Sequence, residues 1–194
     1  MATAGSISRS ISVPGRQVVT GAAVGVVAAV AMAMFAMIAA ATYQGTGFFT
    51  PMYHIASSLI DPTTMMRSME AATGGDSFTF SAGPAAVGVG LHLLTGAFWG
   101  AIFGVIVGAG RLNGWVGFLG GVLYGLAVMV VMALIALPVI AELFGGGEVI
   151  SDMPRLAGWG TFTIEHAIYG AVLGLWPLVR RSDARAVRPA HEAA

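Results

Sequence analysis

Two segments of this 194-residue chain share one pattern of side chains able to do chemistry. HLLTGAFWG from His92 and HAIYGAVLG from His166 both read H-x-x-x-G-x-x-x-G. An imidazole set in apolar sequence is suited to ligate a metal or a haem iron, and a glycine one turn further on leaves room for a flat ring. His92 and His166 would clamp such an iron from opposite faces, beside Gly96 and Gly170. With His54, and with Glu165 next to His166, they offer instead three imidazoles and a carboxylate, a donor set for copper or zinc. No ligand spacing such as H-E-x-x-H accompanies them. A plainer role stands beside both, with each histidine at the interface hydrogen-bonding a loop carbonyl and tying an outer loop to a helix end. These three readings stay open at the level of sequence, as does the absence of any cofactor.

Other chemistry is missing. There is no cysteine, which removes thiolate sites and disulfides. There is no G-x-S-x-G elbow, metalloprotease motif, phosphate loop or dinucleotide fingerprint, so the chain is expected not to be an enzyme. Methionines at 32, 34, 37, 129 and 132 lie at helical spacing among alanine and valine and read as packing rather than as a soft-metal path. Glu142, Glu148 and Asp152 read as solvated loop charge. The interiors of the apolar stretches hold no charge to relay protons or bind ions, which counts against a channel or coupled transporter.

The elements that must position these residues follow from composition. The chain is 57% hydrophobic and 9% charged, with a mean hydropathy of +0.84, against roughly 25% charge in soluble domains. It is expected to be an all-α integral membrane protein forming one membrane domain. A net charge of zero gives no reason to expect nucleic acid. Residues 1–16 read as a tail, and 17–43 as a first spanning helix, long enough at about 1.5 Å per residue to cross roughly 30 Å of hydrocarbon. Residues 44–84 form an outer loop with two short helices lying on the bilayer surface: MYHIASSLI, and a segment capped by Asp61-Pro62-Thr63 and ended by Gly74-Gly75. Spans two, three and four are placed at 85–110, 115–141 and 161–179. Pro138 is expected to kink the third. A second outer loop covers 142–160, and a tail covers 180–194.

Small residues organise these spans. Glycine recurs every fourth residue after His92, at Gly96, Gly100, Gly104 and Gly108, and again at Gly170 and Gly174. On a helix this forms a ridge without side chains, and in lipid such ridges let helix axes draw together. GAAVGVVAAVAMAM from Gly21 matches GVLYGLAVMVVMAL from Gly121, so with the two histidine segments the chain reads as two hairpins in parallel repeat, a four-helix bundle. Charge sets the orientation. The tails and the Arg111–Gly114 turn hold seven arginines against Asp183 and Glu192, whereas the long loops and adjoining helix ends hold Arg67 and Arg155 against seven acids. By the positive-inside rule both termini are cytoplasmic.

With four spans, a long first outer loop and H-x-x-x-G-x-x-x-G at 92–100 and 166–174, the chain resembles small bacterial inner-membrane proteins of the YagU-like kind. That resemblance implies no activity and carries over no functional residue. The expectation is a non-catalytic membrane subunit that packs with other integral subunits and lipid in a larger respiratory or oxygenase-type complex, as a homo- or hetero-oligomer. A small haem- or metal-binding membrane protein is the alternative, and a channel or transporter the further one.

Overall fold

The structure is a computed structural model that describes residues 15–110, 112 and 114–186. Residues 1–14 and 187–194 of the expected tails, with Arg9, Arg188 and Glu192, and the turn residues Arg111 and Asn113, lie outside the described residues, whereas 15–16 and 180–186, expected as tail, are helical continuations of the first and last spans. In chain order the elements are α1 (Gly15–Ala41), α2 (Thr50–Ala56), α3 (Thr63–Thr73), α4 (Ala82–Gly108) and α5 (Gly114–Val131). A π-helical turn (Met132–Ala136), α6 (Leu137–Phe144), α7 (Gly147–Ser151), α8 (Met153–Leu156) and α9 (Trp159–Ala186) follow. No strand occurs among the described residues. Four stretches are long and apolar enough to cross a membrane: Gly15–Ala41, Ala82–Gly108, Gly114–Phe144 and Trp159–Val179. The first two begin two or three residues earlier than the sequence suggests, and the third ends three residues later.

Pro138 is the reason for the π turn in the third stretch. It has no N–H to offer the carbonyl four residues back, and the helix widens just before it. The Leu137 N–H reaches the carbonyl of Met132 instead. The helix then continues to Gly145, whose left-handed backbone (φ +71°) ends it.

Glycine decides which helices touch. A Cβ built on Gly25 would lie 2.8 Å from the Cα of Gly100, and one on Gly21 would lie 2.7 Å from the Cα of Gly104. As one number rises the other falls, so α1 and α4 run antiparallel with their backbones in contact. The same arrangement joins α5 to α9, where a Cβ on Gly121 would stand 2.6 Å from the Cα of Gly174 and one on Gly125 would stand 2.8 Å from that of Gly170. Such closeness is open only to glycine, and in lipid the gain in van der Waals contact offsets its backbone entropy. Gly108, the last glycine of the ridge, closes α4 half-buried. The two pairs meet chiefly along α1 and α9, while α4 and α5 scarcely touch. Ala28, Ala29, Phe103, Val107, Tyr169 and Leu173 form the buried core where they join.

The end carrying the connections is folded, not loose. Helix α2 does not lie on the surface as its amphipathic pattern suggests: Thr50, Met52, Tyr53, His54 and Ala56 are all buried. The reason is a notch on α4, where a Cβ on Gly88 would sit 2.7 Å from the Met52 carbonyl carbon, so the α2 backbone seats directly on α4. Helix α3 covers it with Met65 and Ser68 buried, and the Thr50 and Ser68 hydroxyls are hydrogen-bonded at 2.8 Å. The cap position of α3 falls on Pro62 and not on Asp61, so the helix begins one residue later than the sequence pattern suggests, while Asp61 accepts the Thr63 N–H at 2.8 Å. Residues 142–160, expected as loop, hold α7 and α8, with Ile150 fully buried against Leu137, Ala141 and Phe162. Gln44 closes this end by donating to the Ala157 carbonyl at 2.5 Å, and the Tyr43 and Thr161 hydroxyls are hydrogen-bonded at 2.9 Å.

Candidate functional site: a cavity at the loop end

Between the spanning helices and the α2–α3 cover lies a cavity of about 860 Å³. It exists because the glycine contacts stop short of this end. Beyond Gly25 and Gly96 the walls carry larger side chains, and the π turn and α2 hold the helices apart. His54, His92, Glu165 and His166 all line it. The structure thus brings the four sequence candidates to one space.

It does not gather them around one point. Among the described residues no group of three or more His, Asp or Glu side chains is placed to hold a metal ion. Each imidazole is committed elsewhere. His54 Nε2–H donates to the Val149 carbonyl at 2.6 Å, tying α2 to α7. His92 Nε2–H donates to the Ala29 carbonyl at 2.9 Å, bonding α4 to the middle of α1. His166 Nδ1–H donates to Phe162 in the preceding turn at 2.8 Å, and its ring packs on that of Phe162 with centroids 4.4 Å apart. Only His54 therefore meets a loop carbonyl as the plainer reading expects; His92 crosses between two spanning helices, and His166 stays on its own. A carbonyl can only accept, so these bonds also fix the tautomers, leaving His92 Nδ1 and His166 Nε2 as acceptors. For His54, outside the spanning segments, burial holds the imidazole below its ordinary value, partly opposed by the bond to Val149.

Glu165 differs from all three. It is buried, with 7% of its surface exposed, and makes no hydrogen bond or ion pair among the described residues. No fully enclosed side-chain nitrogen or oxygen among those residues lacks a partner, so the unbonded carboxyl is reached from the cavity.

Several residues that shape the site escape a search for ligand spacings. The Tyr169 hydroxyl donates to the Gly96 carbonyl and the Tyr124 hydroxyl to the Trp99 carbonyl, each at 2.7 Å. These bonds fasten α9 and α5 to α4, which they otherwise barely meet. The available signal was each tyrosine standing directly before a ridge glycine, at Tyr124-Gly125 and Tyr169-Gly170, because a phenol in apolar surroundings requires an acceptor. Thr95 and Trp99 line the cavity one and two turns below Leu91. No family model, curated protein or solved structure matches this chain.

Proposed function

We propose that the chain is a non-catalytic integral membrane subunit that packs into a larger membrane assembly, in a bacterial inner membrane with both termini cytoplasmic. The observation that carries this reading is a notch left unfilled. Gly21, Gly25, Gly96, Gly100, Gly121, Gly125, Gly170 and Gly174 are each pressed against a neighbouring helix, but Gly83 and Gly90 near the start of α4 have nothing within 4 Å. With exposed Ala86 between them they mark a strip of small residues on the outside of the bundle, a surface suited to another small-faced helix. The commitment of the histidines and membrane tyrosines to backbone carbonyls supports a role in holding helices rather than in turnover.

The glycine contacts also support a duplicated hairpin. Gly25 meets Gly96 and Gly100, and Gly125 meets His166 and Gly170, the counterparts of His92 and Gly96, so the two pairs use the same faces with a register one helical turn apart. Gentle detergent extraction, with identification of whatever accompanies the chain, tests the assembly. Gly90→Leu should release that companion while leaving the chain inserted, and a chain that runs alone with or without the substitution would sink the proposal. A second reading keeps His166 as a cofactor ligand, because its Nε2 lone pair is uncommitted. A Soret band or stoichiometric copper or zinc in purified protein, lost in His166→Ala, would establish it.

A further inference from the structure

We propose that the cavity at the loop end binds an amphiphilic primary amine, its ammonium group on Glu165 and its apolar body against the methionine walls. The inference is independent of any companion subunit. It begins with the volume of about 860 Å³, within the range of small-molecule sites, which are apolar spaces with a few convergent polar groups. The walls fit that description. Met32, Met52, Met65, Met132 and Met153 contribute flexible thioether side chains able to adapt to an irregular apolar body. Trp99 and Tyr169 add aromatic surface of the kind that attracts cations.

The polar groups then select the head. Glu165, with 7% of its surface exposed, has no protein partner among the described residues, and no arginine stands among the cavity walls to supply one. His166 Nδ1–H is spent on Phe162 and His92 Nε2–H on Ala29, so each ring retains an acceptor nitrogen and no N–H. Glu165 and the two imidazole nitrogens offer acceptors, the Thr95 and Ser58 hydroxyls of the same walls offer donors, and among the described wall residues Glu165 is the one carboxylic acid. A ligand with a carboxylate would set acid against acid, and one with only carbonyls would leave Glu165 without a donor. An ammonium brings three N–H donors and a positive charge that would hold Glu165 as its carboxylate. A free amphiphile and a phosphatidylethanolamine headgroup both present such an ammonium, and the chemistry recognised is the same.

The full-length protein in phosphatidylglycerol nanodiscs, photolabelled with a diazirine-bearing decylamine, tests this. Labelled peptides should come from the cavity-lining parts of α4 and α9, and decylamine should compete at least tenfold better than decanol or decanoate. Glu165→Gln should reduce decylamine to the level of decanol. Exchange of the lipid for phosphatidylethanolamine separates the sources: suppressed labelling identifies the headgroup, and undiminished labelling a free amine. Equal competition by the three head groups in the unaltered protein would overturn the proposal without need of a variant. So would an amine preference that survives Glu165→Gln, or labelling confined to lipid-facing peptides.

Discussion

Between α1 and α4 a Cβ on Gly25 would stand 2.8 Å from the Cα of Gly100, yet toward the loops the helices part around a cavity of about 860 Å³. The glycine end is held by backbone lying on backbone. The loop end is held by hydrogen bonds from His54, His92, Tyr53 and Gln44 to carbonyls and by short helices wedged between long ones. In lipid, apolar contact alone does not drive helices together, because tails are as apolar as leucine. Close fit joins them at one end, and at the other polar groups that lipid cannot satisfy must find partners inside the protein. The second arrangement leaves space, and that space contains the unbonded carboxyl of Glu165.

The sharpest break in this contrast is Gly100→Leu. The added side chain meets the Gly21 carbonyl and the Gly25 Cα, neither of which can rotate away. The loss should be about 3 kcal/mol or more in a reversible denaturation in mixed micelles. Gly170→Leu, meeting Gly125 in the same way, should behave alike, and Gly90→Leu, with open space around it, should stay within about 1 kcal/mol of the parent. A cost at Gly90 equal to that at Gly100 would end the distinction between filled and unfilled notches.

A smaller effect is expected from Tyr169→Phe, which removes the bond to the Gly96 carbonyl but keeps the ring. About 1 kcal/mol should be lost in the same assay, in keeping with hydrogen bonds between membrane helices. Acid should act on the loop end alone. The folded protein holds His54 neutral because burial disfavours its cation. The unfolded segment takes up a proton near pH 6.5. Stability from this group is therefore complete above that pH and declines as pH falls toward the lower folded value. Amide exchange around Val149, corrected for its intrinsic rate, should quicken between pH 7 and 5 while exchange around Gly100 does not, and His54→Gln should flatten the profile. Smallest of all, Met132→Leu at the cavity wall should change stability by less than about 1 kcal/mol, since volume is conserved beside empty space.

Much of this architecture was legible beforehand because a bilayer imposes simple conditions. Uninterrupted apolar stretches located the four candidate spans to within a few residues, and the fourfold spacing from Gly96 to Gly104 marked the face of α4 that meets α1. His54, His92, Glu165 and His166, singled out in the sequence as possible ligands, do line one cavity, but their arrangement could not be read beforehand. Spacing along a chain does not say which carbonyl lies opposite an imidazole. His92 belongs to the middle of α1 rather than to a loop because the glycine contacts draw Ala29 within its reach. Helix α2 offered an apolar stripe that an interface could have covered, and Gly88 made α4 the better cover.

From composition and periodicity alone came four stretches long and apolar enough to cross a membrane and the glycine faces, since each depends on local properties of a helix: its length, its hydropathy and where side chains are missing. The folded chain settled which faces meet, which nitrogen of each histidine keeps its proton, and that Glu165 is left without a partner. Apart from His166, whose carbonyl partner lies one turn back on the same helix, these depend on groups far apart in sequence, as Ala29 and His92 are, and no local pattern records their distance.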